Sequence, residues 1–291
     1  MRRGTPLFLL LLLCSVPAWT QGRIDCDALK SRILAQPVHY CVMLPASYDA
    51  SGSRQYPILY FLHGLNSNEQ MLFKMGGWNT IQDMEQKHEI GDFLIVTPEA
   101  RASFYVNSFD GKVRYTDFFL QEFVPYIEGR YRVRREREAR AISGISMGGY
   151  GAFHLAFGHP ELFGAVSAES AALMTESIED LNTAIRAGTP LGKLFGPLFG
   201  NPIHEDLWKQ SDPFVLAKKN KNEIRSLAIY FNCGKRDDFQ FEVGAEVLHK
   251  QLDHEGIKND FHLYPGDHSA GYFLAHLPEV MEFHWREFEK K

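Results

Sequence analysis

Ser146 stands at the centre of Gly144-Ile145-Ser146-Met147-Gly148, a Gly-x-Ser-x-Gly pattern. A serine hydroxyl is a poor nucleophile at neutral pH, so the pattern matters only if a histidine takes its proton and a carboxylate orients that histidine. The chain holds 12 histidines that compete for this role. His268 lies in the polar run Tyr264-Pro265-Gly266-Asp267-His268-Ser269, immediately after a strand-like segment. By contrast, His262 falls inside that segment, and His249, His254, His276 and His284 fall on helix-like stretches. For the carboxylate, Gly234-Lys235-Arg236-Asp237-Asp238-Phe239 offers two candidates, Asp237 and Asp238, which spacing does not separate. Asp267 is a third, although an acid next to the base in sequence would struggle to face its ring. The order Ser, Asp, His along the chain is that of the α/β hydrolases. The chemistry such a set performs is attack on an acyl carbon, with two backbone N–H groups receiving the oxyanion. Those donors are expected from Met147, the residue after the serine, and from Leu65 in His63-Gly64-Leu65. His63 itself reads as structural.

These residues need elements to place them. Ala139 to Ser143 reads as a short strand that runs through the motif into a helix over Tyr150–Phe157. A strand turning at once into a helix forces the serine into an unfavourable backbone conformation, and glycines on either side remove the side chains that would collide there. Ile24 to Leu29 and Val38 to Leu44 read as opening strands, and Pro57–Leu62 and Asp92–Thr97 as strands covered on both faces. Phe163–Ala168, Leu227–Cys233 and Phe261–Tyr264 supply the remaining strands. Helical spacing appears at Phe118, Phe119, Phe123, Tyr126 and Ile127, where Pro125 should bend the helix, and again over Phe241–His254 and Tyr272–Phe288. Strands alternating with helices predict an α/β fold with a mostly parallel central sheet and helices on both faces. His63, Ser146, Asp237 and His268 each follow a predicted strand, and ligands gather at the carboxyl ends of strands in such sheets. The stretch from Ala171 to Arg225, broken by glycines and prolines, reads as a lid-like insertion in a single domain covering 19–291.

The first residues are Met-Arg-Arg, followed by the apolar run Leu7 to Cys14 and the small residues around Ala18. That is a signal-peptide pattern for residues 1–18, too short to persist as a membrane span, and it predicts a secreted or periplasmic protein. A net charge of −5 gives no encouragement to nucleic acid. The arginine-rich segment from Arg130 to Arg140 is interleaved with Glu136 and Glu138 and reads as a solvated face. The cysteines lack zinc-site spacing, so neither a metal nor a cofactor is expected. In an exported protein Cys26 and Cys41 could bridge the two N-terminal strands, and Cys233 reads as a buried thiol.

From residue 38 to 288 the chain resembles the putative-esterase branch of the α/β hydrolases. The resemblance rests on Leu62-His63-Gly64-Leu65, Gly111-Lys112-Val113-Arg114-Tyr115, the run Ile142 to Ala152, His159-Pro160-Glu161-Leu162-Phe163, Gly234-x-x-Asp237 and Pro265-Gly266-x-His268. That branch includes S-formylglutathione hydrolases, tributyrin, feruloyl and acetyl-xylan esterases, and the antigen 85 mycolyltransferases. The resemblance implies a serine carboxylesterase acting on a small-molecule or glycan-linked ester. It favours Asp237 over Asp238 as the acid, agrees with Leu65 and Met147 as oxyanion donors, and puts Tyr105 and Asn107 near the substrate. Alternative readings are acyl transfer to a sugar or lipid alcohol, a thioesterase of the S-formylglutathione kind, and a binding protein that has kept the fold alone. Retention of Ser146, Asp237 and His268 speaks against the last.

Overall fold

The structure is a computed structural model that describes residues 21–290. The expected signal segment and its cleavage site lie outside the described residues. Eight strands form one sheet: β1 (Arg23–Lys30), β2 (Pro37–Leu44), β3 (Ile58–Leu62), β4 (Leu94–Pro98), β5 (Arg140–Ile145), β6 (Ala165–Glu169), β7 (Ala228–Gly234) and β8 (Asp260–Tyr264). Their spatial order is β1-β2-β4-β3-β5-β6-β7-β8. The first three strands in that order pair antiparallel, and every pair from β4 to β8 is parallel. Parallel neighbours require crossovers, and the helices that make them cover both faces.

Period-two alternation in β3 assigns its side chains to two cores. Ile58, Tyr60 and Leu62 join a layer built on α2 (Met147–Gly158), with Phe153 and Phe157 packed among them. Leu59 and Phe61 face the opposite layer, with Ile81 of α1 (Gly77–Gln86) and Leu277, Val280 and Met281 of α4 (Ala270–Glu289). All five β3 residues are buried, which accounts for the unbroken apolar run in the sequence.

Cys26 and Cys41 are direct partners across β1 and β2 and form a disulfide. Closing a loop of 15 residues stabilises the fold by about 3 kcal/mol in the chain-entropy picture. Between Tyr115 and Arg130 the helical path contains one π turn, Phe119–Phe123, directly before the Val124–Arg130 segment that begins with Val124 and Pro125. The proline lacks an N–H, and the wider turn absorbs the missing ladder bond.

The structure adds detail to two sequence readings. The connection from β6 to β7, the stretch broken by glycines and prolines, contains the helices Ile178–Arg186, Pro190–Phe199, Glu205–Ser211 and Pro213–Lys219. Ser177, Thr189 and Asp212 cap three of them, and Pro190 and Pro213 sit at first-turn positions, where the missing N–H costs nothing. The glycines and prolines thus punctuate short helices. Within the Arg130–Arg140 segment, Arg130, Arg135, Glu136 and Glu138 are exposed as expected, and Arg140 is the exception. Arg140 is buried and grips Glu128 through two hydrogen bonds of 2.6 and 3.0 Å, with further bonds to the carbonyls of Leu162 and Arg135.

Candidate active site

The site begins where β5 ends. Ser146 has φ 58° and ψ −117°, a region that side-chain-bearing residues seldom occupy. Three backbone bonds hold it there: its amide donates to the Glu169 carbonyl at 2.9 Å, and its own carbonyl accepts from Tyr150 and Ala172, each at 3.0 Å. The motif glycines make the turn sterically feasible. A Cβ on Gly144 would overlap the Gly148 carbonyl, and one on Gly148 would overlap the carbonyl of Leu62 at the end of β3. The bend is therefore packed against the very loop that carries Gly64 and Leu65.

Loops after three other strands converge on this serine. From the β8–α4 loop, His268 brings Nε2 to 3.0 Å from Ser146 Oγ. Its Nδ1 donates to Asp237 Oδ2 at 2.7 Å, and Asp237 follows β7. The two remaining acids have other partners. Asp238 accepts from the backbone amide of His268 at 3.3 Å, and Asp267 accepts from the Ser269 hydroxyl. Burial pushes the Asp237 carboxyl up, but the hydrogen bond and charge of His268 and the Phe239 amide outweigh it. The net position is below the ordinary carboxylate range, so Asp237 is an anion at neutral pH.

No hydrogen bond within the described residues is donated by the amides of Leu65 or Met147. Met147 is the first residue of α2, where an N–H has no partner in its own helix. The helix dipole adds positive potential at the same place. His63 shapes the Leu65 loop from beneath: Nδ1 donates to the Gly64 carbonyl at 2.8 Å, and Nε2 accepts from the Ala100 amide at 2.9 Å. Burial lowers its pKa, which keeps the ring neutral, in the tautomer those two bonds demand.

The two residues expected near substrate, Tyr105 and Asn107, lie in the loop that follows β4. Tyr105 is fully buried, its hydroxyl donating to the His63 carbonyl at 3.0 Å and its ring packed on Gly151. Asn107 is half-buried and accepts from the Asp117 amide at 3.3 Å. Tyr105 therefore supports the loop from inside, and Asn107 ties it to the following helix. Residues that sequence reasoning passed over do border the site. Phe239, Phe241 and Phe273 surround the His268 ring at centroid distances of 4.9, 5.4 and 5.3 Å. The proximity of Phe239 to Asp237 in sequence was the available signal. Among the described residues, no group of three or more His, Cys, Asp or Glu side chains is arranged to hold a metal ion.

A strained serine, an imidazole and a buried carboxylate in one hydrogen-bonded row, with two idle amides alongside, invite comparison with known proteins. The family model described as Putative esterase matches residues 31–284. The chain belongs to the putative esterase family. An esterase of Mycobacterium tuberculosis is 27% identical over 246 residues, covering 78% of this chain and 51% of its own length. This chain therefore spans about half the length of the first curated relatives it matches. An acetyl esterase of Caldicellulosiruptor saccharolyticus is 26% identical over 232 residues, covering 79% of this chain and 84% of its own. Among solved structures, a ferulic acid esterase superposes with a TM-score of 0.79 at 28% identity, covering 92% of this chain and 99% of its own. This chain has the α/β-hydrolase fold of these esterases, with a mostly parallel eight-stranded sheet.

Proposed function

We propose that the protein is a carboxylic ester hydrolase in which Ser146 is the nucleophile, His268 the general base and acid, and Asp237 the carboxylate that orients His268. The observation that carries this reading is the pair of contacts made by one imidazole, 3.0 Å to Ser146 Oγ and 2.7 Å to Asp237 Oδ2. Membership of the esterase family and likeness to acetyl and ferulic acid esterases support it.

In the first half-reaction His268 Nε2 takes the hydroxyl proton as Ser146 Oγ bonds to the ester carbon. The carbonyl oxygen, now an anion, is received by the amides of Leu65 and Met147. The bond to the alcohol oxygen then breaks as His268 returns the proton to it, leaving an acyl-serine. Water, deprotonated by the same ring, adds to the acyl carbon and releases the acid with Ser146 restored. Asp237, already ionised, stabilises the imidazolium at both stages. We read residues 171–225 as a lid-like wall over this site, acetyl, short-chain or feruloyl esters as the substrates, and residues 1–18 as an export signal that leads to a secreted or periplasmic protein.

Hydrolysis of p-nitrophenyl esters of rising acyl length, alongside methyl ferulate, tests the reading in wild type and Ser146→Ala. Turnover of short acyl chains is expected, with kcat falling roughly 10⁵- to 10⁶-fold in the variant. Equal turnover in the two proteins would place the nucleophile elsewhere. Export is checked by determining the N-terminus of the chain recovered outside the cytoplasm, which should begin near residue 19.

A further inference from the structure

We propose that Tyr272 is a positioning residue for the reaction: through Asn232 it locks the loop that aims His268 at Ser146. The proposal rests on the esterase reading, in which His268 moves the proton.

His268 lies in a short loop between β8, which ends at Tyr264, and α4, which begins at Ala270. Loops are more mobile than the elements they join, so a base carried on one keeps its aim only if both ends are held. Both ends here run into one chain of polar side chains. At the entry, the Tyr264 hydroxyl donates to Glu279 Oε2 at 2.8 Å. At the exit, the Tyr272 hydroxyl donates to Asn232 Oδ1 at 2.8 Å. Tyr230 joins the two, because its hydroxyl donates to the same Glu279 oxygen at 2.8 Å and accepts from Asn232 Nδ2 at 3.3 Å. With its own proton directed at Glu279, Tyr230 can only accept from Asn232, and that turns Asn232 Oδ1 toward Tyr272. Asn232 and Tyr272 are both buried, so water does not compete for their bond. The Tyr272 ring also touches the loop directly. A Cβ on Gly266 would come within 2.3 Å of it, which places the ring against the main chain two residues before His268.

The same rung of the sheet holds the nucleophile. Asn232 of β7 is the register partner of Glu169 of β6. The Glu169 carbonyl takes the Ser146 amide at 2.9 Å, and the Asn232 carbonyl takes the Ser170 amide at 2.8 Å. The main chain of the serine and the loop of its base are thus anchored on one pair of neighbouring residues. Asp237 belongs to the same frame. In the turn between β7 and α3 (Phe241–His254), the amide of its neighbour Arg236 donates to the Gly266 carbonyl at 3.0 Å.

The test cuts the Tyr272–Asn232 bond from either side. Tyr272→Phe removes the hydroxyl and keeps the ring, and Asn232→Leu removes the acceptor. In each, kcat on a short-chain p-nitrophenyl ester should fall about tenfold with KM unchanged, since no group that receives substrate has been altered. The double variant should lose no more than the weaker single, because both changes break one link. Packing alone would not move the low-field proton NMR resonance of His268 Nδ1–H in its bond to Asp237, recognised by its absence in His268→Ala. That resonance should shift or broaden in Tyr272→Phe. A folded Tyr272→Phe protein with wild-type kcat, or with a loss confined to KM, would overturn the proposal. So would a fall in kcat with the resonance in place, or losses that multiply in the double variant. Should Tyr272→Phe fail to fold, Asn232→Leu and the same resonance decide. If the wild type hydrolyses no ester, the esterase reading fails separately, and the resonance still shows whether Tyr272 aims the ring.

Discussion

The two ends of β5 carry polar groups with opposite fates. At its start, Arg140 is buried and its guanidinium is spoken for by Glu128 and two backbone carbonyls. Past its end, Ser146 is held at positive φ, and His268 Nε2 is the partner recorded for its hydroxyl. One six-residue strand begins at a group whose partners are complete and ends just before one whose backbone is strained and whose side chain has capacity to spare. Completed charge pairs in the interior hold elements together and resist change, because loss of one partner strands the other in a medium that solvates it poorly. A nucleophile needs the reverse: a rigid backbone beneath an under-committed side chain.

The sharpest way to test that contrast, after Ser146→Ala, is to damage the support of His268. Asp237→Asn should lower kcat roughly 10⁴-fold with little change in unfolding temperature, since the imidazole loses its tautomer and its counter-charge. Asp238→Asn, which affects only an exposed bond to the His268 amide, should stay near wild type. Equal losses in the two would remove the distinction drawn between the acids.

At the other end of the strand, Arg140→Met should cost about 3–5 kcal/mol in denaturant unfolding, by leaving Glu128 buried without its partner. The double variant Arg140→Met, Glu128→Leu should recover most of that loss. An Arg140→Met protein as stable as wild type would mean that the pair does not hold the strand.

The smallest expected effect concerns Glu169, the last residue of β6. It is fully buried beside the serine turn, both carboxyl oxygens lack a hydrogen-bond partner, and burial followed by the charge of Glu279 pushes its pKa well above 4.5. In the folded state the neutral form is therefore favoured. Its contribution is fully present below pH 4.5, where the unfolded chain is also neutral, and is lost as pH rises toward the raised folded value. Glu169→Gln should consequently match wild type near pH 4 and exceed it in stability near pH 8. An identical difference at both pH values would show that the carboxyl does not titrate in this way.

Much of the site was legible in the residues themselves. Gly144 and Gly148 announce a turn whose crowding admits no Cβ, and the unbroken apolar run of β3 announces a strand covered on both faces. Local sterics and burial decide such features, and both are written in neighbouring residues. The order of Ser146, Asp237 and His268 carried the fold class for the same reason: each follows a strand, and parallel strands all end at one edge of the sheet.

Other features depended on what folding brings from far along the chain. Arg140 looked like one more surface arginine until Glu128 and the carbonyls of Leu162 and Arg135 closed around it. Tyr105 looked like a substrate contact until its hydroxyl was seen beneath His63, and Phe239 attracted no notice until its ring stood beside an imidazole 29 positions away. Spacing left Asp237 and Asp238 equivalent, and tertiary structure separated them by directing one to the ring of His268 and the other to its main chain. A sequence displays the chemistry of each side chain and the geometry of its own few residues. Partners and exposure are properties of the packed chain, because they depend on which distant surfaces exclude water from the same place.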